Sequence, residues 1–275
     1  MGFSSTLRQY FAGFWSLIFN AKRPVGALVV QTLGGGLLFS ALLFRLFIQN
    51  VLQTGLTADE RNQYEPKQVL PSIRARRSVF PKSYVHRPIE KKVVQSLLEA
   101  ATWAPFHGPS PPWRFVVLGR AAAVQMQHMS LAFYDANWQH VGWAGGRRGS
   151  EAEFLEWRQR TEEEICGRWG PVSFMIAIVM QRQAGSKRMP EWEELAATAC
   201  AVQNMHIQAC SFPGLACYWS SWHSAARDSK EMRAFLRMGE EDKCLGFLMV
   251  AACNPELKDT RTRTMDTHMC VEWRD

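Results

Sequence analysis

Residues Val172 to Met180 read VSFMIAIVM, a run with one hydroxyl and no charge. A strand with one face in water alternates apolar and polar residues, whereas an unbroken apolar run must be covered on both faces. That requirement calls for a sheet with layers on either side and helices to supply them. The chain offers the other parts. Trp113 to Leu118 (WRFVVL), LACYWSSW from Leu215 and Cys244 to Ala252 are short β-branched and aromatic runs, the composition of strands. Between them lie helical stretches. Val93, Val94, Leu97, Leu98 and Ala101 repeat at the spacing of an amphipathic helix. Ala121 to Tyr134 puts Met126 and Met129 inward, and Glu151 to Cys166 and Asp228 to Met238 are charged helices. Glu191 to Cys210 carries small residues along much of its length and belongs at the centre, where packing is close. Strands alternating with helices of this length mean a layered α+β or α/β domain.

Composition agrees: 47% hydrophobic and 21% charged residues in a chain of 275 supply a sizeable core. The net charge of +7 is uneven, because residues 1–58 hold Arg8, Lys22, Arg23 and Arg45 and no acid. No basic stripe with interleaved aromatics is present, so nucleic acid is not an expected partner. The seven cysteines are scattered without a CxxC pair, so neither a metal site nor a disulfide framework is expected. They read as buried free thiols.

Four segments follow from these patterns. Residues 1–24 are an acid-free amphipathic stretch, and 25–52 contain a charge-free run, Val25 to Phe44, long enough to span a bilayer. Residues 53–73 are a polar linker, and 74–275 form the globular domain. A retained single-span anchor, a cleaved transit peptide and a buried helix all fit the first 52 residues. The anchor is the preferred reading. The acid-free start suits a mitochondrial destination.

Two features of the globular part bear on chemistry. Arg76, Arg77 and Ser78 open it, and guanidinium forks with a neighbouring hydroxyl make an anion site. Pro105 to Pro112 (PFHGPSPP) is a loop fixed by four prolines, which also ends the preceding helix. An anion site and a conformationally fixed loop are what a phosphorylated cofactor needs.

The order RRS, a helix ending LEAATWAP, a Gly/Pro loop, PWRFVVL, a long helix with AVQNMHIQA, a PGL strand, LGFLMVAACNP and a basic tail resembles the nitroreductase family of FMN-dependent oxidoreductases. The likeness spans about 200 of the 275 residues. It implies an α+β fold with a central mixed sheet sandwiched by helices. It also implies a homodimer with FMN at the subunit interface and NAD(P)H as electron donor, the acceptor being a quinone or a nitroaromatic. Position by position, Arg76, Arg77 and Ser78 match the residues that grip the FMN phosphate and ribityl chain. Arg261 and Arg263 match basic residues that reach the same phosphate from the tail. The proline loop matches the segment beside the flavin ring. Pro213, Gly214 and Leu215 match the turn whose backbone approaches the ring edge.

The chain also departs from that pattern. Phe80 stands where a cation is usual, and Pro109 and Pro111 stand where an Asn and a Gln usually bond the ring. His107 and Ser110 are the substitutes within the loop. These changes motivate a second reading, a catalytically degenerate structural subunit of a larger membrane complex. The tryptophans at 138, 143, 157 and 169 fit either a lid or a contact surface. His206, on a helix face with Met205 and Cys210, reads as a satisfied core histidine. Glu191, Glu193 and Glu194 complement the dipole of the helix they start.

Overall fold

In a computed structural model, residues 68–275 are described except 187, 258–270 and 275, together with the side chain of Cys166. The expected anchor at 25–52, the amphipathic segment 1–24 and most of the linker therefore lie outside the described residues, as do Arg261 and Arg263. Among the described residues no helix is long and apolar enough to cross a membrane.

The elements in chain order are α1 (Pro71–Ala75), β1 (Tyr84–Val85), α2 (Lys91–Ala101), β2 (Trp113–Gly119), α3 (Arg120–Asn137), α4 (Glu151–Glu163), β3 (Phe174–Met180), α5 (Glu191–Ala209), β4 (Leu215–Ser220), α6 (Ser224–Arg227), α7 (Lys230–Phe235) and β5 (Lys243–Cys253). Residues Val69–Asp275 form one compact unit.

The sheet corrects one expectation. It is not mixed, because every pairing among the described strands is antiparallel. Its order is β2-β3-β5-β4, with β1 beyond β3 on the same flank of β5. The reason lies in the connections. Two helices, α3 and α4, separate β2 from β3, so the chain re-enters the sheet where it left, with Gly119 opposite Phe174. A single crossover helix would have produced a parallel pair.

The apolar run that opened the analysis is covered on both faces. Met175, Ala177 and Val179 of β3 join Phe247, Met249 and Ala251 of β5 against Met126 and Leu131 of α3. The alternate residues, Ile176 and Ile178 with Leu248 and Val250, pack on Leu97 and Ala101 of α2 and Ala201, Val202 and Met205 of α5. This period-2 division of one continuous apolar strand between two cores is what the sequence required. Within β5, Gly246 takes φ +109°, and a Cβ there would fall on the Ser220 carbonyl of the neighbouring strand.

Three local expectations are also revised. The helix expected over 228–238 is shorter, α7 at Lys230–Phe235, and is preceded by the one-turn α6: Asp228, between them, pairs with Arg227 at 2.7 Å, and Ser229 caps α7 by accepting from the Met232 N–H at 3.1 Å. The tryptophans lie largely within the described domain, Trp143 and Trp169 buried and Trp138 and Trp157 half-buried. Trp143 packs with Tyr134 and Phe154 in a satellite core that includes Trp138 and Trp157, and Trp169 belongs to the main core. The cysteines are not uniformly buried either. Cys217, Cys244 and Cys253 are buried, Cys210 is half-buried, and Cys200 is exposed on α5.

Candidate functional site

Helix α5 is the frame on which the sequence-predicted residues are placed. Its N-terminal end holds the proline loop. The His107 Nδ1 lies 2.9 Å from the Glu193 carboxylate. The Gln183 side chain, at the end of the segment after β3, donates its amide Nε2 to the backbone carbonyls of His107 and Ser110. Gly108 adopts φ +97°, and a Cβ there would overlap that same amide. One step deeper, Glu194 pairs with Arg182, both side chains at least nine-tenths buried, and accepts from the Gln183 backbone N–H. The Arg182 backbone N–H in turn donates to Asp242 at 3.0 Å. Thr198, one turn along α5, donates to the Pro112 carbonyl at 3.3 Å. Phe106 meets Trp113 edge-on at 5.4 Å. The loop is thus held by side chains arriving from β3 and α5. His107 and Ser110 are themselves exposed.

The other predicted residues gather near the far end of α5. The segment 76–80 runs along the outer edge of β4, where the Val79 N–H donates to the Cys217 carbonyl at 3.1 Å. Phe80 is half-exposed and leans on Tyr218, ring centres 4.8 Å apart. Arg77 turns onto its own backbone, donating to the carbonyls of Arg74 and Arg76 at 2.6 and 2.9 Å. The Arg76 charge disfavours protonation of His206 on α5, and Ser78 is exposed. Gly214 accepts from the Cys253 N–H at 3.0 Å, which ties the turn to the end of β5. Leu215 donates its N–H to Phe212 at 3.0 Å and buries its side chain, and Pro213 is exposed. The space a Cβ would take at Gly214 is filled by the Arg87 guanidinium.

His206 is buried as expected of a core histidine, but it is not satisfied. It is 7% exposed, and its Nε2 is buried without a hydrogen-bond partner among the described residues. Burial first, and the nearby Arg76 cation second, push it down to about 4, so the ring is neutral at pH 7. Leaving such a nitrogen unpaired costs on the order of 1–3 kcal/mol. Gln183 Oε1 and Arg182 Nε, at the loop end, are also buried without partners.

One chain does not bring the two groups together. His107 stands at Glu193 and Arg76 at His206, 13 positions apart on α5 and so roughly 20 Å at ~1.5 Å per residue. In the sheet, the Pro112 end lies level with Lys243 and the Gly214 end with Cys253, a separation of roughly 33 Å along β5 at ~3.3 Å per residue. A cavity of about 570 Å³ is lined by Leu195, Trp219, Arg227, Arg233, Asp242 and Lys243 and contains none of the predicted residues.

Sequence reasoning missed Gln183, Glu194 and Arg87. Glu194 was assigned to the helix dipole, and its buried position beside Arg182 is set by tertiary packing. The polar triplet Gln181-Arg182-Gln183 directly after a wholly apolar strand was the available signal.

The donors at the Arg76 end suit an oxyanion. A guanidinium and the Ser78 hydroxyl can both donate to an oxyanion. A phosphorylated cofactor fits that set.

Comparison with known proteins agrees with this architecture. The model of the family described as "Nitroreductase family" matches residues 73–252. A Bacillus subtilis (strain 168) protein named "Putative NAD(P)H nitroreductase YfhC" is 24% identical over 181 residues, covering 62% of this chain and 83% of that protein. Among solved structures, a nitroreductase-like family protein from Bacillus cereus superposes with TM-score 0.55 at 18% identity, over 76% of this chain and all of that one. A nitroreductase with bound FMN from Bacteroides fragilis NCTC 9343 superposes with TM-score 0.53 at 21% identity, again over 76% of this chain and all of that one. Likeness at that identity speaks for the fold, while the match over residues 73–252 speaks for descent. The chain belongs to the nitroreductase family.

Proposed function

We propose that this protein is an FMN-dependent oxidoreductase that takes electrons from NAD(P)H and passes them to a quinone or nitroaromatic acceptor. The observation that carries this reading is the layout on α5 within a chain of this family. An oxyanion-binding end and a rigid loop end are each built, yet one chain holds them roughly 20 Å apart. Two copies related by a two-fold axis would juxtapose one copy's Arg76 end with the other's loop. The outer side of α5 supports that arrangement, because Trp192 is 69% and Leu195 41% exposed on it, with Trp103 of the adjoining segment 82% exposed.

FMN, when bound, supplies the hydride and single-electron chemistry; the protein supplies its binding, orientation and surroundings. Arg76 and Ser78 would hold the phosphate through charge-assisted bonds, with Arg261 and Arg263 of the tail as further cations. The proline loop, fixed by Gln183 and Glu193, would present its backbone and His107 to the ring without having to be ordered on binding. Gly214 would offer backbone at the ring edge, with Arg87 placing positive charge close by. The charge-free run Val25 to Phe44 supports attachment to a membrane, which in turn suits a lipid-soluble acceptor. A mitochondrial membrane is the destination that the acid-free start favours.

A second reading is favoured by Phe80, whose ring rests on Tyr218 where a cation would face the flavin, and by Pro109 and Pro111, which have no side-chain donors. On that reading the chain keeps the fold and contributes structure to a membrane complex. An absorbance spectrum of the detergent-purified full-length protein tests the proposal. Flavin bands that bleach on adding NADPH or NADH are expected. Bands that persist unchanged with either nucleotide favour the second reading, and a colourless protein that takes up no added FMN overturns flavin binding altogether.

A further inference from the structure

The face of the sheet that α3 covers carries polar groups that neither the fold nor the flavin reading uses. Gln127 of α3 is 5% exposed and makes no hydrogen bond among the described residues, whereas a buried amide ordinarily has partners. It lines a cavity of about 160 Å³ together with Arg120, His128 and Trp169. A second cavity, of about 330 Å³, adjoins the first, because Arg120 and Val172 line both. Its walls add His86 and Arg87. Every ionisable residue in the two linings is thus an arginine or a histidine, and neither lining contains a carboxylate.

The local structure of α3 points the same way. The helix begins at Arg120, its N-cap Gly119 supplies no side-chain cap, and no acid stands in its first turn. Gly119 and Arg120 line the larger cavity, so the uncapped N–H groups and the positive end of the helix dipole open toward it. A Cβ at Gly119 would meet nothing within 4 Å beyond its chain neighbours, which leaves the approach clear. Arg120 forms no hydrogen bond or ion pair among the described residues. Gln127 follows it by seven positions, so two turns of α3 put both on one side of the helix. Unopposed positive charge beside an unpaired amide calls for a ligand that is anionic at one end and polar but uncharged at the other.

We propose that these two cavities form a binding site for a phosphate monoester. Arg120 and the first-turn N–H groups of α3 hold the phosphoryl oxygens, and Gln127 hydrogen-bonds the uncharged polar part. An amide both donates and accepts, so Gln127 suits a hydroxyl there. The larger cavity has the volume of a site for a small molecule. The inference stands apart from the flavin reading, because FMN is assigned to α5, on the opposite face of the sheet. Arg87, beside Gly214, is the one residue that borders both. A soluble phosphorylated metabolite and an acidic phospholipid headgroup share the required chemistry.

The test is calorimetric titration of full-length, detergent-purified protein in excess FMN, so that a flavin phosphate site is already filled. The titrants are glycerol phosphate, glycerol, and phosphatidic acid dissolved in the same detergent. Saturable binding of glycerol phosphate or of phosphatidic acid is expected, with none of glycerol, and whichever binds identifies the source. Arg120→Ala, at an exposed position, should weaken that binding about tenfold or more, and Gln127→Leu, which keeps the volume, about threefold or more. Bound flavin should be unchanged in both variants. Failure of both phosphates to bind overturns the proposal, as does wild-type affinity in either folded variant. A matching loss of flavin in Arg120→Ala also overturns it, because the cavities would then belong to the flavin site. Should circular dichroism show Gln127→Leu unfolded, Arg120→Ala decides alone. If wild type takes up no FMN, the flavin reading falls while the same titrations still decide this one.

Discussion

The two ends of α5 are built on different principles. At the N-terminal end the side chains are mostly spent on one another: Glu193 on His107, Glu194 on Arg182, Gln183 on the loop carbonyls. Toward the C-terminal end the architecture is carried by backbone bonds, from Val79 to Cys217 and from Cys253 to Gly214, and His206 keeps an unpaired nitrogen. The first arrangement fixes a shape before anything binds. Both ends keep buried polar atoms without partners among the described residues, Gln183 Oε1 and Arg182 Nε at the first and His206 Nε2 at the second.

The sharpest way to break this contrast is at Glu194. Glu194→Ala strands the buried Arg182 guanidinium and removes the acceptor for the Gln183 N–H, which should cost about 3–5 kcal/mol. Chemical denaturation would register the loss, and proteolysis near His107 should accelerate with it. A cost below about 1 kcal/mol would mean that the loop is held by its prolines alone.

His206 gives the corresponding test at the opposite end, and its sign can be worked out. Above pH 6.5 folded and unfolded chains both hold a neutral ring, and the contribution is fully present. As pH falls from 6.5 toward 4 the unfolded chain takes up a proton that the folded one resists, so stability declines, by about 3 kcal/mol in all. Flavin-free protein should show this decline in melts across that window, and His206→Gln should lack it. Equal slopes for the two proteins would indicate that the ring is not held neutral.

The smallest effect should come from His107→Ala. The pair with Glu193 is largely exposed on the histidine side, and such pairs contribute less than about 1 kcal/mol. A melting temperature within a degree or two of wild type is expected. A large drop would move the loop's anchor from Gln183 to the surface pair.

Much of this was legible in the residues. The doubly buried strand, its neighbours and the long central helix follow from periodicity, since VSFMIAIVM has no face that tolerates water. The family likeness correctly anticipated the sandwich of helices. It misjudged strand direction, because direction depends on whether one or two helices lie between strands in space. The basic opening and the proline loop were visible as candidates, whereas Gln183, Glu194 and Arg87 were not. Their roles arise from contacts between positions 11 to 127 apart in the chain, and the polar triplet after β3, the one local signal, does not name its partners. His206 was recognised as buried, but a sequence cannot display a missing partner.

The interlock of Gly108 with the Gln183 amide also constrains how this chain can vary over time. Any side chain at 108 must displace the amide, and any shorter residue at 183 surrenders the tethers to His107 and Ser110. Neither position can drift alone without unfastening the loop, so the two should change together or not at all. Among descendants of this protein, positions 108 and 183 should therefore be inherited as a pair, although they stand 75 positions apart in the chain.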